Sequence, residues 1–132
     1  MPCIETFSTL RIFSKTLYPD EIEKILSIKG TKTRRKDPGS RYKHKKTNNM
    51  WLWSTEKTLT SNNTEEHLNL IVNQFIDKTK EIKTLKEKCK IDIVSYFVSN
   101  GHGGPSINSQ LMKQLALLEI DIWWDVYFEE ND

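Results

Sequence analysis

Three groups of residues in this chain have the types and spacing to do chemistry. The densest lies at residues 29–46, where nine Lys and Arg, among them Arg34, Arg35, Arg41 and Lys43, stand against the single acid Asp37, a local charge of +8. Such side chains neutralise phosphates and release counterions. With Tyr42 and His44 inside the cluster and Trp51 and Trp53 just after it, the segment could follow a nucleic-acid backbone and stack a base. The rest of the chain holds 11 basic and 17 acidic residues, −6 in all, and repels phosphate outside a narrow footprint. An acidic protein partner fits the same cluster at least as well, and the plain alternative is a solvated loop.

The second group is Gly101-His102-Gly103-Gly104-Pro105. Glycines let backbone N–H groups approach an anion, and a histidine is the side chain that exchanges protons near neutral pH. The Lys-Ser/Thr and the glycine spacing of a phosphate-binding loop are both missing, and a tight strand-to-helix turn accounts for the glycines without chemistry. The third group is Asp121 and Asp125 with Trp123 and Tyr127. Four positions apart on a strand, the carboxylates share a side at ~13 Å, too far for one metal ion and wider than a glycosidase pair. His44, His67 and His102 fall in three different elements without metal-ligand spacing, and Ser54 and Ser99 lack a Gly-x-Ser-x-Gly setting. We therefore read no catalytic set, no metal site and no cofactor, and keep a hydrolase built on His102 and Asp125 as the least favoured alternative.

The tryptophans divide by expected surroundings. Trp51 and Trp124 are assigned to the core, whereas Trp53 and Trp123 are the ones expected at a surface, where aromatics anchor partners.

The elements that must position these groups follow from periodicity. Residues 7–13 alternate as a strand with Leu10 and Ile12 on one face and Phe7, Thr9, Arg11 and Phe13 on the other. Pro19 opens a short helix carrying Ile22, Ile25 and Leu26, and Gly30 is expected to end it in the left-handed conformation. Asp37-Pro38-Gly39-Ser40 turns the basic segment at its middle, which reads as a mobile loop or an edge hairpin. Residues 48–55 form a strand apolar on both faces, Met50 and Leu52 opposite Trp51 and Trp53, and so internal. Asn63 with Glu66 resembles a capping box and starts a helical stretch through Leu68, Ile71, Val72, Phe75 and Ile76. A second helical piece carries Ile82, Leu85 and Cys89, one helix or two. Residues 91–98 read as a central strand, and a helix from about Ser106 follows, with Leu111, Met112, Leu115 and Leu118 as its apolar side. It leads into 120–128, where Ile120, Ile122, Trp124, Val126 and Phe128 are expected to make one dry face. This order implies an α+β fold, a mainly antiparallel sheet of four to five strands with helices packed on one face.

At 132 residues the chain is expected to form a single domain over 1–132. Cys3 and Cys89 belong to no paired motif, so a reducing, cytoplasmic setting is the default. No apolar run reaches the ~18 residues that span a bilayer, and the first residues lack the regions of a signal peptide.

Taken in order, Leu10-Arg11-Ile12, the helix opening at Tyr18-Pro19-Asp20-Glu21, Trp51 with Ser54-Thr55, the helix from Leu68 and the strand Ile120-Asp121-Ile122-Trp123-Trp124 resemble a bacterial family of domains of unknown function, DUF4279. The resemblance covers most of the chain and implies architecture rather than activity. Similar small α+β proteins often act as immunity partners beside toxin-like genes, which implies a binding role by analogy. The expectation is a non-enzymatic module that binds a protein, or nucleic acid through 29–46, as a monomer or homodimer. Its binding residues are read as Trp53, Trp123, Asp125, Tyr127, Arg34, Arg35, Arg41 and Lys43.

Overall fold

A computed structural model describes residues 3–129. Five strands, β1 (Cys3–Ser14), β2 (Lys32–Arg34), β3 (Asn49–Ser54), β4 (Lys90–Ser99) and β5 (Asp121–Phe128), form one sheet in the order β2-β3-β1-β4-β5. The helices are α1 (Pro19–Leu26), the single turn α2 (Lys43–Thr47), α3 (Thr64–Phe75), α4 (Thr79–Lys86) and α5 (Ser109–Leu118). The fold is α+β, as the sequence implies. All strand pairs are antiparallel except β4 with β5, which are parallel because α5 carries the chain back between them.

β1 lies between β3 and β4, and its alternation divides the molecule. Thr6, Ser8, Leu10, Ile12 and Ser14 are buried under the helices, while Phe7, Thr9, Arg11 and Phe13 are half-buried on the opposite side. The helices supply the complementary apolar surface. Pro19 takes the first helical position of α1, acids occupy its first turn, and Ile22 and Leu26 are buried, an arrangement suited to a helix N-terminus. In α3, His67, Leu68, Ile71, Val72 and Phe75 are buried, and the Asn63 side chain accepts the Glu65 N–H as N-cap. The helical stretch is two helices, α3 and α4, joined by a 3-10 turn over Ile76–Lys78. In α5, Leu111, Leu115 and Leu118 are buried, but Met112 is exposed. It stands about 100° round the helix from Leu111, just off the stripe.

Trp51 is fully buried, edge-on to Phe75 with centroids 6.2 Å apart. Its indole N–H donates to Glu23 Oε2 at 3.2 Å, and the same oxygen accepts the Gly30 N–H at 2.7 Å. This corrects the role given to Gly30. The left-handed residue that ends α1 is Ser27, φ 56°. Gly30 is instead needed for close approach, because a Cβ there would lie 2.7 Å from the Trp51 indole nitrogen and 3.0 Å from the Leu52 carbonyl.

Two further expectations are corrected. The first arm of the basic segment is indeed an edge strand, with Lys32, Thr33 and Arg34 opposite Leu52, Trp51 and Met50. The second arm is the turn of helix α2 and pairs with nothing as a strand. The face of β5 expected to be dry is wet over much of its length: Ile120 is buried and Ile122 and Val126 are half-buried, but Trp124 and Phe128 are exposed. An edge strand reaches past the helix layer, so apolar alternation there does not guarantee cover.

Replacing Gly30 by Ala is expected to destabilise the protein by about 1–3 kcal/mol through overpacking against Trp51. Gly104→Ala, where an added Cβ meets nothing within 4 Å, should leave stability nearly unchanged; chemical denaturation of the two variants checks the contrast.

Candidate functional site

The side of the sheet away from the helices is open among the described residues, and strand register decides what it displays. Phe7 pairs with Tyr96, Arg11 with Asp92, Val94 with Trp123, Tyr96 with Asp125 and Val98 with Tyr127. Opposed residues share a face, so β1, β4 and β5 present one surface. Phe7 stacks on Tyr96 at 4.8 Å, and Tyr96 meets Tyr127 at 5.5 Å. Three adjacent strands thus carry a continuous aromatic row, with Trp123 exposed at its outer margin.

In the middle of this face, Asp92 is 3% exposed and is bound by Arg11 through two hydrogen bonds, Nε at 2.7 Å and Nη2 at 2.8 Å. The fork geometry matches both carboxylate oxygens. The Arg11 guanidinium also sits 5.3 Å from the centre of the Phe13 ring, whose other neighbour is His44, edge-on at 4.8 Å. Through His44, α2 closes one end of the face. Tyr127 is the titratable group here with a resolved perturbation: its hydrogen bond to Asp125, together with that carboxylate's charge, raises the phenol above its ordinary value of 10.0.

The expected site residues are only partly gathered. Trp123, Asp125 and Tyr127 lie together on the open face. Arg34 shares that face but stands on β2, four strand spacings or ~19 Å from β5, with its Nε and Nη2 lacking partners among the described residues. Arg35 binds Asp20 at 3.2 Å and covers the Tyr18 ring, an exposed pair worth little. Arg41 lies over Tyr42 and donates to its hydroxyl, and Lys43 is exposed at the start of α2. Trp53 is not a surface anchor. It shares the parity of Trp51 and packs on Phe75 from the helix side, centroids 5.6 Å apart. Trp124, expected in the core, is 41% exposed.

Sequence reasoning missed Phe7, Arg11, Asp92 and Tyr96 as parts of the site. Their facing was legible as alternation, but their meeting across strands was not. It also missed a second cationic group: Lys15, Lys86, Lys88 and Lys90, against the one acid Glu87, surround a hollow at the end of β1 and start of β4, with Asn48 from the end of α2 on its rim. Cys89 lies in the same hollow, and burial holds its thiol above the ordinary value, which keeps it protonated and unreactive. His102 is exposed on its loop without a polar partner among the described residues, while Asp125 sits in mid-strand opposite Tyr96. No group of three His, Cys, Asp or Glu that could hold a metal ion occurs among the described residues. No helix there is long and apolar enough to cross a membrane.

A family model described as Domain of unknown function (DUF4279) matches residues 4–129. No curated protein and no solved structure matches the chain.

Two outcomes test this geometry. Arg11→Ala should cost about 2 kcal/mol in a denaturation experiment, because it strands a buried carboxylate. In an alkaline absorbance titration, one tyrosine should ionise later than the ordinary value, and Asp125→Asn should bring it back down. The raised folded-state value implies that the Tyr127 contribution to stability is complete below pH 10.0 and is lost as pH rises through the folded value.

Proposed function

The chain belongs to the DUF4279 family, whose description names no activity, and from its geometry we propose a non-enzymatic module that docks a protein partner on the open face of its sheet. The observation that supports this is the aromatic row Phe7, Tyr96 and Tyr127 with exposed Trp123 beside it. Aromatic side chains on a rigid sheet bind at little entropic cost and make effective anchors. The face carries two half-open hollows, one of about 520 Å³ beside Phe7, Thr9, Lys32 and Leu52 and one of about 300 Å³ among Arg11, His44, Lys90 and Asp92. The charges at the centre of the second already satisfy each other, so the broad aromatic surface suits a macromolecule better than a small substrate.

Charge selects the partner. The open face is cationic towards β2 and α2, with Lys32, Arg34 and the residues around His44, and acidic towards β5, with Asp121 and Asp125. A partner with an acidic patch set beside an apolar one meets this pattern, and the cationic end accelerates encounter. Binding of this kind suits an immunity-type or regulatory role. Two free cysteines, Cys3 and Cys89, fit a reducing cytoplasm.

One observation favours a second reading. The hollow among Lys15, Lys86, Lys88 and Lys90 enlarges the cationic end beyond residues 29–46, as a nucleic-acid backbone would require. The acidic β5 margin restricts that contact to one end of the molecule.

With a partner recovered from the host, Trp123→Ala and Tyr127→Ala should each weaken binding about tenfold or more, and the association rate should fall steeply with added salt. Unchanged affinity in both variants rejects docking on this face. Gel-shift titration at two salt concentrations tests the second reading: retardation at low salt that disappears when Lys86, Lys88 and Lys90 are neutralised would replace the protein-binding reading with it.

A further inference from the structure

The two edges of the sheet are unlike. β2 is three residues long and carries Lys32 and Arg34 on the open face, features that discourage pairing with another chain. β5 runs for eight residues with no proline and no basic residue, and Trp123, Trp124, Tyr127 and Phe128 are all exposed along it. Its neighbour in the sheet is β4 alone. The Glu129 N–H donates to the Ser99 carbonyl at 2.8 Å, which fixes the odd-numbered residues of β5 as those that bond to β4. The N–H and C=O groups of Ile122, Trp124 and Val126 therefore point outward from the sheet.

We propose that β5 is a homodimer edge: two copies pair antiparallel about a two-fold axis through Trp124, joining two five-stranded sheets into one. Charge selects the register. Antiparallel partners share a face, so allowed registers are centred on a residue. A centre at Trp123 sets Asp121 against Asp125 of the second copy twice, and a centre at Asp125 sets that carboxylate against itself and Asp121 against Glu129. Like charges directly opposite are destabilising. A centre at Ile122 or Val126 leaves much of the strand unpaired. The centre at Trp124 opposes Asp121 with Tyr127, Ile122 with Val126 and Trp123 with Asp125, so that within the strand no two carboxylates stand directly opposite each other. Trp124 then faces itself in a hydrogen-bonded pair, and Ile122 and Val126 use their outward backbone groups in the flanking ones. The axis stands perpendicular to the sheet, so both helix layers fall on one side and the open face is doubled on the other.

Trp124 projects to the helix side, so substitutions there separate this edge from docking on the open face, although Trp123 and Tyr127 meet Asp125 and Asp121 of the second copy. Sedimentation equilibrium of the whole chain is expected to give twice the 15.5 kDa chain mass. Trp124→Lys, at an exposed position, should weaken self-association by roughly thirtyfold or more while circular dichroism stays unchanged. Mixing Trp124→Lys with Trp124→Asp should restore a dimer, since only a self-paired position places the two new charges against each other. Trp124→Pro, which removes an outward N–H and no bond to β4, should also give a folded monomer. A monomeric wild-type chain overturns the proposal, as does a Trp124→Lys dimer as tight as wild type or a mixture that fails to associate.

Discussion

The register of β1 between β3 and β4 is the constraint on which the rest depends. Because the helices cover one side of the sheet, each strand must send one parity into the core and the other to the open face, and a slip of one residue exchanges them. Leu10, Ile12, Trp51 and Ile93 hold the covered side at zero exposure. On the open side, Arg11 and Asp92 hold the same register by a different force. A carboxylate at 3% exposure is costly unless paired and hydrogen-bonded, and only the observed alignment of β1 with β4 brings the guanidinium fork to it. Burial and ion pairing thus enforce one answer from opposite faces, as a uniquely folded sequence requires.

Beneath the open face lies a seam of polar groups that resembles chemistry but is structural. The His67 Nε2–H donates to the Ser61 carbonyl at 2.7 Å, which leaves Nδ1 to accept the Thr55 hydroxyl at 2.6 Å. Thr55 Oγ1 in turn accepts the Ser8 N–H at 3.1 Å, and Ser8 and Ser95 hydroxyls meet at 3.1 Å. All four side chains have zero exposure. A hydroxyl beside an imidazole is the pattern of an activated nucleophile, yet no substrate reaches one sealed between α3 and the sheet. Its effect is to satisfy polar groups that would otherwise cost about 1–3 kcal/mol each, and to fix α3 against β1 and β3.

Local pattern exposed the facing of residues better than their meeting. Alternation in β1, the two apolar faces of β3 and the proline-led start of α1 were readable because each is decided within a few residues. The parity that set Trp53 beside Trp51 was readable too, and it puts Trp53 on the covered side against Phe75 rather than at the surface. β5 misled for another reason. Its alternation is real, but whether a face is covered depends on where the helix layer stops, which no window of sequence contains. Lys86, Lys88 and Lys90 lie within five residues and were legible as a group; only the approach of Lys15, brought by the β1–β4 pairing, leaves no local mark. Gly30 carries the same lesson at atomic scale: its glycine signal was correct and its cause, the Trp51 indole, lies 21 residues away.

How the open face can bind follows from which of its charges are already matched. Arg11 and Asp92 neutralise each other at the centre, so a partner gains little by competing for either and must find its affinity in the apolar surface around them. The unmatched charges lie at the margins, cationic near α2 and acidic along β5, where they stay solvated and act over about a Debye length. Marginal charge governs how fast and in which orientation a partner arrives, whereas desolvated aromatic anchors govern how long it stays. The division of labour assigned to this face is therefore a consequence of its layout: a central ion pair that is structural, a row of rings that holds, and a polarised rim that orients.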